Sequence, residues 1–313
     1  MRRVLGLMCG LAGTASAWAG SGPWVVGNGQ ASLYVGADSQ RITRLAITVD
    51  DERDVIDVGQ GLTSFGVKGI ASLGITNRAE VEVQAPWWTV RANRPDEALC
   101  GALGLQACAT TTTVGVITAK TKVLLVNEYF GSPFSLSVGT ELRYGDFTAP
   151  TRARITNAGE GTTDLGPTVA IGRVGSIGSA YVLAQTELGW RYRFPTTRAY
   201  PDVPRGTRAA PLPESWANLE ILAGPSNKIV VGPTFNILYR NGLDWGDLDL
   251  SDPDRLAALR ILTARLGATV ILHNDGDLAL VGTIMQAVAA RNNPNTLSVG
   301  VGVSFSGLTR SNE

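Results

Sequence analysis

From Ala31 onward apolar and polar residues alternate almost without interruption, the two-residue period of β-strands rather than the 3.6-residue period of helices. Phe65–Ile75 (FGVKGIASLGI) sets Phe, Val, Gly, Ala, Leu and Ile on one face and Gly, Lys, Ile, Ser and Gly on the other. Ser135–Gly145 alternates Leu136, Val138, Thr140, Leu142 and Tyr144 against Ser, Gly, Glu141 and Arg143. Ala180–Phe194 puts Val182, Ala184, Leu188, Trp190, Tyr192 and Phe194 opposite Gln185, Glu187, Arg191 and Arg193. In Lys228–Arg240 the apolar set is Ile229, Val231, Phe235, Ile237 and Tyr239. The pattern predicts twelve strands, at 30–40, 64–75, 79–91, 111–126, 134–146, 163–175, 179–194, 215–224, 227–240, 261–273, 277–291 and 296–306. Many run to ten residues or more, against about five or six in an ordinary globular strand.

The connections alternate in kind. Tight turns fall at Thr76–Ala79, Gly131–Pro133, Ser176–Ser179, Pro225–Asn227 and Asn274–Asp277. Longer polar segments fall at Val49–Thr63, Ala92–Ala109, Phe147–Thr162, Pro195–Glu214 and Asn241–Leu259, while the last of that set, Asn292–Asn295, is short. Short turns on one rim and long loops on the other are the anatomy of an all-β, antiparallel, up-and-down transmembrane barrel. An even strand number returns both chain ends to the short-turn rim. The ends of the first and last strands are the least defined, so ten or fourteen strands are the alternatives. Asp252–Leu262 has the composition of a brief helix within its loop.

Charge decides which face meets lipid, because hydrocarbon solvates neither a charged side chain nor a free backbone group. With the apolar parity outward, the inner face receives Asp38, Lys68, Glu80, Glu82, Gln84, Lys120, Lys122, Glu141, Arg143, Glu187, Arg191, Arg193, Glu220, Lys228, Arg240 and Arg265. Acids and bases are mixed there, so pairing can neutralise most of them. Aromatic residues near strand ends (Trp87, Tyr144, Trp190, Tyr192, Phe194, Phe235, Tyr239 and Phe305) lie on the outward parity, as suits a membrane–water boundary. A soluble sandwich would also bury an apolar face, but strands this long with so charged an opposite face fit two packed sheets poorly. Strand 277–291 is apolar on both faces; Met285 is expected inward and Gln286 outward, with a bulge reconciling them. The last strand, Thr296–Phe305 (TLSVGVGVSF), has an inner face of Ser and Gly only. The expectation is that charged side chains from facing strands fill the space before it.

Composition narrows the setting. Lys+Arg and Asp+Glu each number 27 in 313 residues, so no bulk charge draws nucleic acid. Mean hydropathy is +0.09, high for a soluble protein, yet no internal apolar run is long enough for a membrane helix. Met1-Arg-Arg, the apolar stretch Val4–Gly13 and the small-residue box Ala15-Ser-Ala17 form a secretory leader, residues 1–19, with cleavage after Ala17 or Ala19. The remainder, 20–313, reads as one barrel domain. Cys9 lies inside the leader, and Met8 before it is a poor lipoprotein signal. Cys100 and Cys108 remain, and a pair closing a short loop in an exported chain favours a disulfide over free thiols.

No catalytic or cofactor site emerges. The single His, His273, sits at the short-turn end of a strand, whereas catalysis in barrels of this kind is expected at the outer rim. Asp247–Asp254 is acidic but lacks the Gly and terminal Glu of a calcium loop. Gly172–Gly178 is glycine-rich, but no helix follows to bind a dinucleotide.

The whole chain after the leader resembles Gram-negative outer-membrane β-barrels, and Leu73–Pro86 (LGITNRAEVEVQAP) is similar to a strand–turn–strand hairpin of the phenol-degradation pathway (MetA-type) outer-membrane proteins. That resemblance implies a passage for small, hydrophobic or aromatic molecules. The expected function is an outer-membrane channel or transporter for small solutes, lined by the charged residues above. A non-conducting barrel acting through its extracellular loops is the other reading. The expected partners are outer-membrane lipid, the barrel assembly machinery, which would read the terminal strand, and a small-molecule solute. No cofactor, metal or nucleic acid is expected.

Overall fold

The computed structural model describes residues 22–49, 52–92, 110–145, 162–195, 210–211, 213–240, 243–244, 261–274, 278–291 and 293–309. Twelve antiparallel strands form a single closed sheet: β1 Gln30–Val49, β2 Glu52–Thr76, β3 Ala79–Ala92, β4 Thr111–Val114 continuing as Ile117–Val126, β5 Ser135–Tyr144, β6 Thr163–Ile177, β7 Ala180–Arg193, β8 Glu214–Ser226, β9 Ile229–Arg240, β10 Ile261–His273, β11 Leu278–Arg291 and β12 Asn293–Thr309. Each strand pairs with its sequence neighbours, and β1 pairs with β12 to close the ring. The break in β4 lies opposite Pro86 of β3, which has no N–H to give to a ladder. Among the described residues no helix is long and apolar enough to cross a membrane, so any crossing is made by strands.

Every strand turns bulky apolar residues outward, for example Val67, Leu142, Leu188, Val231 and Val299, all exposed. Most charged strand residues point the other way and are buried, among them Lys68, Glu82, Glu141, Glu187, Arg193 and Glu214. In water this arrangement would be inverted; in lipid it is the stable one. The chain is therefore a barrel of the Gram-negative outer-membrane type, with the short turns at the periplasmic rim. Tyr192 and Phe194 meet edge to face on the outer surface, ring centroids 5.2 Å apart, near the extracellular end.

Three expectations are corrected. Val49–Thr63 is not a loop: β1 runs on to Val49 and β2 begins at Glu52, the two paired from Val49↔Glu52 to Arg44↔Asp57 and again from Ile42↔Leu62, with a register irregularity between. Second, β12 continues past Phe305 to Thr309, which pairs with Gln30. Third, Lys228 is exposed in the tight turn before β9 rather than inside the barrel. The bulge in β11 is present: Ala264 pairs with Ala289 but Arg265 with Ala287, leaving Met285 buried and Gln286 outside.

The bare inner face of β12 has a nearer cause than facing strands. Tyr34 of β1 lies flat across Gly36 and Gly302, and Asp38 lies against Gly300. A Cβ at Gly302 would collide with the Tyr34 ring, so the seam requires glycine there. The leader, Cys100 and Cys108, the acidic stretch Asp247–Asp254 and the helix expected at 252–260 lie outside the described residues; Ile261 and Leu262 already belong to β10.

Candidate transport lumen

Apart from Lys228, every residue assigned inward by parity does turn to the inner face. Neighbouring strands then bring them together. Lys120 on β4 sits 3.4 Å from Glu141 and 3.2 Å from Glu187. Arg191 on β7 bridges Glu141 and Glu214. Glu214 also receives Arg240 at 2.7 Å and Arg143 at 3.6 Å. Asp164 binds Arg143 at 3.3 Å and Arg193 at 3.4 Å. The result is one continuous lattice of carboxylates and bases over the inner face of β4–β9, with Trp216 beneath it. Lys120 Nζ stands 5.2 Å and Arg191 Cζ 5.9 Å from the Trp216 ring centre, positions in which the ring quadrupole attracts the cations.

Two carboxylates central to the lattice, Asp164 and Glu214, escaped the sequence reading. Glu214 was assigned to the end of a loop after a Pro-rich run, and Asp164 sits just before Gly166-Pro167, which has the look of a turn. Parity alone held the signal: Asp164 shares a face with Thr168 and Ala170, and Glu214 with Trp216 and Glu220. Separate small sites complete the polar lining. Lys68 pairs with Asp38 at 3.6 Å and lies over the Tyr34 ring. Glu220 accepts from Gln185 at 2.7 Å and from Thr234 at 3.3 Å. Ser72 donates to Glu82 at 3.5 Å.

The opposite wall, β10–β12 and β1–β3, is different in kind. In its extracellular half Ile42, Leu62, Val90, Trp88, Met285 and Ala287 are buried inward among hydroxyl residues. Toward the periplasmic rim an inner apolar cluster crosses between the walls: Tyr34, Ile70, Ile271, Ala279 and Val281 meet Leu222 of β8 and Val230 of β9, joined by Tyr181 and Leu183 of β7. A lumen lined by charge throughout is therefore only half of the arrangement.

The chain before β1 enters the periplasmic mouth, which no periodicity foretold. Trp24 Nε1 donates to Glu128 at 3.1 Å, Val26 N donates to Glu80 at 2.7 Å, and Lys122 Nζ donates to the Trp24 carbonyl at 3.3 Å. Pro23 and Trp24 press against the wall where Gly172 leaves room: a Cβ there would stand 2.9 Å from each of them. Glu80 and Lys122, themselves paired at 3.0 Å, thus anchor this segment. His273 borders the same cleft.

Comparison with known proteins bears on the fold alone. Neither a family model nor a curated protein matches the sequence. Among solved structures, the COG4313 outer membrane channel from Pseudomonas putida F1 superposes with a TM-score of 0.69 at 13% identity, over 94% of this chain and 100% of that one. The NanC porin gives 0.48 at 9% identity, over 87% and 98%. LpxR from Salmonella typhimurium gives 0.44 at 9%, over 88% and 99%.

Proposed function

We propose that the barrel is a channel for small solutes across the outer membrane, favouring hydrophobic or aromatic compounds, with the segment at residues 22–28 narrowing its periplasmic mouth. The observation that carries this reading is the lengthwise division of the lumen. A wholly charged interior would suit hydrated polar solutes, whereas Ile42, Leu62, Trp88, Val90 and Met285 offer a surface on which an apolar solute can shed water. The resemblance of the Leu73–Pro86 hairpin to the phenol-degradation group supports the same solute class. The likeness of the fold to a barrel described as a channel supports passage through the lumen, without bearing on the solute class.

Conductance in planar bilayers and liposome swelling with sugars, anions and aromatic acids test the proposal. Aromatic solutes should swell vesicles faster than sugars of equal mass, and deletion of residues 22–26 should raise conductance. Repeated silent recordings of folded barrel, with and without the deletion, would favour the other reading. In that reading the lattice and the inserted segment seal a structural barrel that acts through its extracellular loops.

A further inference from the structure

Among the described residues, the cations of the inner face are paired with one exception. Lys68, Lys120, Lys122, Arg143, Arg191, Arg193 and Arg240 each contact a carboxylate. Arg265, 5% exposed, makes no side-chain hydrogen bond or ion pair among the described residues, and its Nε is buried without a partner. Its surroundings explain this: neither β10 nor the adjacent strands β9 and β11 contain an acid. Its register partners are Asn236 and Ala287, and the Asn236 amide is already engaged in donating to Asn218. A buried guanidinium without an anion carries a desolvation penalty that no partner offsets, so the position has spare capacity for an anionic ligand.

Arg265 also stands where the two walls meet. To one side lie Asn236, Asn218 and the ion lattice. To the other, the register leads from Ala287 past Thr296 to Ile42 and Leu62. The Thr296 hydroxyl, the Ser64 hydroxyl and Trp88 Nε1 on that side are likewise buried without partners. The β11 bulge falls directly opposite Arg265, and bulges commonly re-aim side chains beside functional sites.

We infer that Arg265 is the docking point for the carboxylate of an amphipathic solute, whose apolar body lies on Ile42, Leu62 and Trp88. A planar guanidinium fork matches a carboxylate in two parallel hydrogen bonds, and the neighbouring hydroxyls supply further donors. This assignment rests on the small-solute reading above and names its substrate class: aromatic or aliphatic monocarboxylates.

Binding can be measured without conduction. The folded full-length barrel in nonionic detergent is titrated into 4-fluorobenzoate or its neutral isostere 4-fluorobenzamide, and 19F line widths are followed. Fluorobenzoate should bind saturably and about tenfold or more tighter than the amide. Arg265→Gln should remove that difference, and Arg265→Lys should restore part of it. Heat-modifiable gel mobility verifies that each variant is folded, and Arg78→Gln in a periplasmic turn serves as a control that should change nothing. Equal binding of acid and amide, or unchanged fluorobenzoate binding in the folded Arg265→Gln variant, overturns the assignment. Displacement by sulfate at equal affinity overturns it too, by showing a site for any anion. Retained binding in a barrel that never conducts would reject the channel and leave the site standing.

Discussion

The two walls of the lumen spend charge in opposite ways. On the inner face of β4–β9 every base among the described residues touches a carboxylate, so the lattice holds its strands to one another. On β10–β3 the charges are fewer and stand in separate small sites, Lys68 with Asp38 and Glu80 with Lys122, and Arg265 is left open. A buried ion pair adds little net stability relative to apolar packing, but breaking one by removing a single partner is costly. The closed wall is thus a structural commitment with little capacity left for a ligand. The open wall has that capacity because less of its polar surface is satisfied internally.

The largest effect should come from the closed wall. Glu214→Ala leaves Arg191, Arg240 and Arg143 short of one carboxylate together and should cost about 3–5 kcal/mol, read as a lower urea midpoint in tryptophan fluorescence. A variant as stable as the parent would mean the lattice is no more than a solvated surface. Next, Gly302→Val drives a side chain into Tyr34 and should cost about 1–3 kcal/mol by overpacking, visible as loss of the heat-modifiable band. An effect equal to that of Glu214→Ala would erase the contrast between the walls. Arg265→Gln should alter stability by less than about 1 kcal/mol, or increase it, because an unpaired buried charge is removed. Its effect should appear in reversal potential under a salt gradient, shifted toward cations. Smallest of all should be Ser64→Ala, within about 0.5 kcal/mol, since the hydroxyl has no internal partner to lose.

The contrast also bears on what could be read from the chain. Strand number, barrel closure and the inward parity of residues such as Glu187, Arg191 and Arg265 follow from a two-residue period and the aversion of lipid to charge. Both are local rules. Partnership is not local: that Arg191 is shared by Glu141 and Glu214 depends on the register of three strands, and that Arg265 has no partner depends on what two others lack. Glu214 and Asp164 were missed beside Pro and Gly that mimic loop chemistry, and Lys228 obeyed parity while lying just past the last ladder rung. The segment around Trp24 had no period to announce it. Its place is fixed by Glu80, Lys122 and Glu128, which are distant in sequence.

The Tyr34 ring over Gly36 and Gly302 has a consequence for how the barrel forms. The first and last strands are the most distant in sequence of all the paired strands, and a two-residue slip between them would keep every apolar side chain facing lipid. Hydrophobicity therefore cannot choose the register of the seam. A slip one way brings Ser304 to the ring; a slip the other way brings Ser298 to Asp38, where Gly300 now gives room. Only one alignment leaves both positions bare. The glycines of the last strand act as a notch, and the tyrosine as the key that lets the circle close at a single setting.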